Sequence, residues 1–212
     1  MTINYNPFII ELSKKFTDMP HLVTEDLIRQ WFIETQTLTY KDTRIEKPYK
    51  CLSIKPKFKG VINNRAHADL YYQEDGIEDV VIEFKYHKKI NTSPTCKTTN
   101  MGEVFRDLNR LACLENKEKY FIYVFDQEMK KYYDKKYKEY KTLEFLVYDK
   151  AKGEYQVGVN IDREKLPKNA LDTAFSPFGG VFNEFADFDY DIQIEHASAL
   201  KSNFYLLAFK VL

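Results

Sequence analysis

Cysteine is scarce in this sequence, glycine and proline are thin, and neither sign of charge is in excess. The three cysteines, Cys51, Cys96 and Cys113, are widely spaced and odd in number, which argues against a disulfide framework or a cysteine-type zinc site. Seven Gly and seven Pro in 212 residues leave no room for a collagen-like or linker-dominated chain. No apolar run approaches the roughly 18 residues needed to span a bilayer, so no membrane partner is expected. The first stretch, MTINYNPFIIELSKKF, lacks a basic start followed by a clean apolar run and a small-residue cleavage site, and a soluble cytoplasmic protein is the expectation. Thirty-two basic and 32 acidic residues cancel, so no global basic excess points to a nucleic acid. The four histidines, His21, His67, His87 and His196, contain no helical i, i+4 pair.

Hydrophobic residues are not short. At 44% hydrophobic and 16% aromatic, the chain can bury a core, and its length fits one domain. Charge is unevenly spread. SIKPKFKGVINNR and KKYYDKKYKEYK are basic, while NEFADFDYDIQIE is acidic. A local basic stripe can still hold phosphates when the total is zero.

HLVTEDLIRQWFIET reads as an amphipathic helix, with Thr24 as N-cap, Glu25 and Asp26 at its positive end, and Val23, Leu27, Ile28, Trp31 and Phe32 as its buried stripe. A polar linker follows, then YKCLSIKPKFKG, a candidate strand interrupted by Pro56. GVINNRAHADLYYQ and IEDVVIEFKYHK read as two strands, joined by a turn at Glu74-Asp75-Gly76. After the loop SPTCKTTN, MGEVFRDLNRLACLENK has helical spacing, and KYFIYVFD is a continuous apolar strand suited to the centre of a sheet. QEMKKYYDKKYKEYK reads as a charged exposed helix. TLEFLVYD and GEYQVGVN read as one hairpin, YDIQIEHASAL and NFYLLAFKVL as a last one. Phe175, Phe178, Phe182, Phe185 and Phe188, in an aromatic-rich segment, suit a core better than a base-stacking platform. The expectation is a mixed α/β fold in a single domain, residues 1–212.

One stretch carries chemistry. The apolar run Val80–Ile82 leads straight into Glu83-Phe84-Lys85, and Asp69 stands in the strand before it. Charges on a buried strand cost several kcal/mol unless paired or ligated. Glu-x-Lys by itself means little, because it recurs at Glu115, Glu128 and Glu139. Only the Glu83 copy ends an apolar strand with an Asp on the partner strand. Period-2 alternation puts Lys85 on the face of Glu83. A two-residue turn at Asp75-Gly76 would set Asp69 opposite Ile82. A three-residue loop through Ile77, or a bulge, would set it opposite Glu83, and that register is expected, with the three charges meeting in a cleft open to solvent. The bland alternative is a solvated hairpin face with a cross-strand ion pair.

With these residues, Thr24 to Asp126 resembles the PD-(D/E)xK nuclease superfamily: a helix with an early acid (Glu25), an Asp in the second strand (Asp69), then Glu83-Phe84-Lys85, a helix and a buried strand. The chain departs from it at Ala68, where proline often precedes the Asp, and it lacks the Gln-x-x-x-Tyr signature of one branch. The resemblance implies a restriction-endonuclease-like core over 24–126, with a central mixed β-sheet flanked by helices in the order α-β-β-β-α-β. Residues 127–212 would elaborate the same domain with additional strands. It further implies a Mg²⁺-dependent endonuclease acting on DNA, with restriction type the favoured subclass and Mn²⁺ able to substitute. Asp69, Glu83 and the Phe84 backbone carbonyl would ligate the cation, Lys85 would orient or help deprotonate the attacking water, and Glu25 would support the site. Cutting both strands would favour a homodimer. The rival is a non-catalytic nucleic-acid-binding or protein-interaction module that keeps the fold. Lesser candidates are His67, two residues before Asp69; Arg106, Asn109 and Arg110 on the second helix; and the Tyr/Lys segment 130–141, each with a structural or solvated reading beside it. Glu34, nine residues after Glu25, should face away.

Overall fold

The structure is a computed structural model that describes residues 3–36, 43–58, 62, 66–73, 79–88, 94–115, 117–153, 155–161, 166–176 and 188–212. Its centre is the strand β4, Glu118–Asp126, buried at every position after the first. β3, Val80–His87, lies parallel to it on one side, and β7, Phe204–Val211, antiparallel on the other. β2 (His67–Tyr72) and β1 (Thr43–Pro48) extend the sheet beyond β3. β6 (Phe188–Ala199) and β5 (Gln156–Ile161) extend it beyond β7. The result is a seven-stranded mixed sheet in the order β1-β2-β3-β4-β7-β6-β5.

Alternation along β4 makes two core layers. Tyr120, Ile122 and Val124 pack with α1 (Tyr5–Asp18) and α2 (Glu25–Thr35). Phe121, Tyr123 and Phe125 pack with α3 (Pro94–Ala112), α4 (Gln127–Lys136) and α5 (Lys168–Ala174). Helices on both faces are what a sheet apolar on both sides requires.

Helix α2 starts as expected, with the Thr24 hydroxyl accepting the Leu27 N–H at 3.3 Å. Helix α1 is an addition: Tyr5, Phe8, Leu12 and Phe16 fall at helical spacing and all are buried. Several expectations need correction. The segment read as a polar linker contains β1, and YKCLSIKPKFKG forms two short 3-10 turns, Tyr49–Cys51 and Pro56–Phe58, rather than a strand. Tyr49 and Phe58 are buried and pin those turns to the core. SPTCKTTN is not a loop, since α3 begins at Pro94, where a missing N–H costs nothing. TLEFLVYD turns as a 3-10 segment, Lys141–Leu146, and β5 pairs with β6 instead. Helix α4 buries Met129, Tyr132 and Tyr133 and is therefore not an exposed rod. The β6/β7 hairpin is as expected. Phe175 is core. Phe178, Phe182 and Phe185, and the turn at Glu74-Asp75-Gly76, lie outside the described residues, as does the side chain of Phe188.

Candidate active site

Strands β2 and β3 pair from Tyr72↔Val80 to Leu70↔Ile82, and β3 then runs on to His87. One step further along the same register sets Asp69 opposite Glu83. That is the register expected of a three-residue loop through Ile77 or an equivalent bulge; the loop itself lies outside the described residues. On the other side of β2, pairing passes from Ile45↔Leu70 to Lys47↔Ala68, and Asp69 faces Glu46, whose φ of 56° is left-handed. Non-glycine residues adopt that conformation at a cost, so the sheet is locally distorted at Asp69.

Beyond Ile82, the N–H groups of β3 that would have met β2 meet carboxylates instead. The Phe84 N–H donates to Asp69 Oδ2 at 2.7 Å, and the Tyr86 N–H donates to Glu25 Oε2 at 2.8 Å. In a strand, one residue's N–H and C=O face the same side, so the Phe84 carbonyl looks into the same gap. Glu25 is held there because Lys88 Nζ donates to the carbonyls of Val23, at 3.2 Å, and His21, at 3.4 Å, on the approach to α2. One turn on, Arg29 donates to the Asp69 carbonyl at 3.3 Å and lies 3.6 Å from its carboxylate.

Glu83 and Lys85 point to the α3 face. Glu83 is 2% exposed and accepts the Tyr49 hydroxyl at 2.5 Å. Burial first, then the negative charges of Asp69 and Asp107, hold the Glu83 carboxyl well above the usual range. Burial also raises Asp69, although the Phe84 N–H works against it. Both carboxyls are thus pushed toward their protonated forms, Glu83 the more strongly. Lys85 Nζ stands 3.4 Å from Glu25 and 3.3 Å from Asp107. Burial would lower its pKa, but Asp107, Glu25 and Asp69 outweigh that and raise it, so Lys85 stays an ammonium. Asp107 is itself buried and also receives Arg106 at 3.0 Å and Arg110 at 3.1 Å.

Asp69, Glu83, Lys85 and Glu25 therefore meet, as expected from the sequence. The expected open cleft is corrected: only Asp69 and Glu25 have appreciable side-chain exposure, 22% and 37%, while Glu83 lies sealed beneath them. His67 is exposed at the start of β2 and makes no hydrogen bond or ion pair with the cluster among the described residues. Arg106 and Arg110 turn to Asp107, and Asn109 donates to the Ala174 carbonyl at 3.4 Å. Glu34 binds Gln30, away from the site. Lysines of the 130–141 segment pair with Asp134, Asp149 and Glu139.

Tyr49, Arg29 and Asp107 were not anticipated. Asp107 had a signal: Glu103, Arg106, Asp107 and Arg110 recur at i, i+3, i+4 and i+7, a polar stripe on an otherwise apolar helix. From that stripe Glu103 also binds His87 Nε2 at 3.0 Å, and His87 Nδ1 joins the buried hydroxyl pair Tyr123–Tyr133.

Among the described residues, no three His, Cys, Asp or Glu side chains are grouped to hold one ion. The donor set is smaller: two opposed carboxyls, Asp69 and the more deeply buried Glu83, and a carbonyl facing the same gap. It suits Mg²⁺, which takes one or two carboxylates and keeps its waters.

The molecule is thus an α/β protein whose seven-stranded mixed sheet, flanked by helices, carries a buried carboxyl pair beside an ion-paired lysine. Compared with protein-family models, curated proteins and solved structures, the chain gives no match.

Proposed function

We propose that the chain is a divalent-cation-dependent endodeoxyribonuclease of the PD-(D/E)xK type, cutting by direct attack of water without a covalent intermediate. One observation carries this reading. Asp69, Glu83, Lys85 and Glu25 come from three elements and converge where β2 parts from β3. The element order α2-β1-β2-β3-α3-β4 supports a restriction-endonuclease-like core. Asp69, Glu83 and the Phe84 carbonyl would hold the cation, which when bound would neutralise phosphate charge and make water more acidic.

The remaining work falls to the side chains. Lys85 is a donor, fixed between Glu25 and Asp107, and it orients the attacking water or a phosphoryl oxygen, a role that its upward-shifted pKa favours over that of a base. Glu25 has one oxygen on the Tyr86 N–H and the other on Lys85, so it positions that ammonium from the accessible side. Tyr49 locks the Glu83 rotamer from below. A homodimer would supply two such sites for cutting both strands.

The sealed position of Glu83 favours a second reading, a nucleic-acid-binding module that keeps the site without chemistry. Incubation with plasmid, linear duplex and single-stranded DNA, in Mg²⁺ or EDTA, separates the two. Mg²⁺-dependent cutting supports the nuclease. DNA binding without cutting in Mg²⁺ or Mn²⁺ supports the module.

A further inference from the structure

Lys119 is the second residue of β4 and sits on the core-facing side with Phe121 and Tyr123, yet it is a lysine at 6% exposure. Its neighbours in sequence are paired: Lys117 with Asp79, and Glu118 with Lys210. Among the described residues Lys119 has no hydrogen-bond or ion-pair partner. It lines a cleft of about 610 Å³ together with Lys55 and Lys57, against an apolar wall of Pro56, Leu114 and Leu212. Glu115 also lines it, but no ion pair joins it to these lysines. The rim is built rather than loose. The Lys55 N–H donates to the Cys113 carbonyl at 2.8 Å, the Glu115 N–H donates to the Ser53 carbonyl at 3.0 Å, and Ile54 bridges Leu114.

Three lysines against one glutamate leave the lining of this cleft with an excess of positive charge, which favours an anion. The nearby Cys113 thiol supplies no counter-charge, because burial pushes it up to about 12. Burial and Lys55 bring Lys119 down to about 8, which leaves it largely protonated at neutral pH and costly to keep so. Along the sheet, Lys119 pairs with Val81, two residues before Glu83 and four before Lys85 on β3.

We propose that this cleft binds a small phosphate-bearing molecule, with Lys119 as the buried anchor and Lys55 and Lys57 closing from the rim. A phosphate group offers several oxygens to three donors at once, and the volume lies in the range of small-molecule sites.

The test is a titration of the full chain with inorganic phosphate, at constant ionic strength against chloride, followed by calorimetry and thermal shift. Wild type should bind saturably and gain in Tm. Lys119→Met should bind at least about tenfold more weakly, the worth of a charge-assisted contact, while melting no lower than wild type. The double variant Lys55→Ala/Lys57→Ala, which changes one half-buried and one exposed lysine, should lose affinity similarly and carries the test if Lys119→Met does not fold. Glycerol 3-phosphate run alongside distinguishes an ester, held also by the apolar wall, from the free ion; binding of either through Lys119 supports the site. No saturable effect beyond chloride, unchanged affinity in the variants, or a Lys119-dependent duplex oligonucleotide that phosphate cannot displace would overturn it.

Discussion

Glu83 faces opposed demands at the residue scale. It is buried against Tyr49, and the charges that weigh most on it, Asp69 and Asp107, are of its own sign. A carboxyl so placed keeps its proton in the folded chain beyond the pH at which an unfolded one loses it. The stability that this proton brings is fully present below the unfolded value of about 4.3 and is lost as pH rises through the raised folded value. Glu83→Gln cannot ionise, yet it can still accept from Tyr49 and donate to Asp69. In EDTA, the Tm of Glu83→Gln should therefore exceed that of wild type at pH 7–8 and converge toward it near pH 4. A wild type that stays ahead at pH 8 would mean that Glu83 is stabilised as an anion, and the account of its burial would fail.

Elements matter here through where they part. Strand β2 leaves β3 after Leu70, and the exposed N–H groups of β3 are taken by Asp69 and Glu25, so site and sheet edge are one construction. Helix α3 closes the other side through Asp107, which receives Lys85, Arg106 and Arg110. Asp107→Asn removes the buried anion that all three cations share. We expect a loss of roughly 3–5 kcal/mol in urea unfolding, the cost of breaking a buried charge cluster from one side. A loss under about 1 kcal/mol would show the cluster to be solvated and weakly coupled.

The same elements explain what the sequence could and could not reveal. Strands β3 and β4 announce themselves as apolar runs, and α2 by its cap and stripe. Asp69, Glu83, Lys85 and Glu25 were legible because each breaks or begins such a pattern. Strand β1, TRIEKP, was not, since this edge strand buries only Thr43 and so carries no apolar alternation. Tyr49 was hidden for another reason: its segment alternates like a strand, and only the tertiary anchoring of Tyr49 and Phe58 turns it into 3-10 geometry. Arg29 reaches Asp69 across 40 positions of sequence, a contact that no local period encodes.

At the scale of the whole molecule, β7, β6 and β5 continue the sheet from β4, so residues beyond 126 complete one sheet with the site-bearing strands. Helix α5 presses on α3 through Gly102, where an added Cβ would lie 2.6 Å from both the Ala170 carbonyl oxygen and Thr173 Cβ. Gly102→Ala should therefore force the helices apart and cost about 1–3 kcal/mol, readable as a lower urea midpoint. Unchanged stability would mean that this junction yields without cost. The most direct measurement of the central claim is cleavage of supercoiled plasmid in Mg²⁺ by wild type, Asp69→Asn, Glu83→Gln and Lys85→Met, each verified as folded. Wild type should cut in Mg²⁺ and not in EDTA, and each variant should lose on the order of 10²-fold or more in rate. Cutting at the wild-type rate by either carboxyl variant would contradict the assignment.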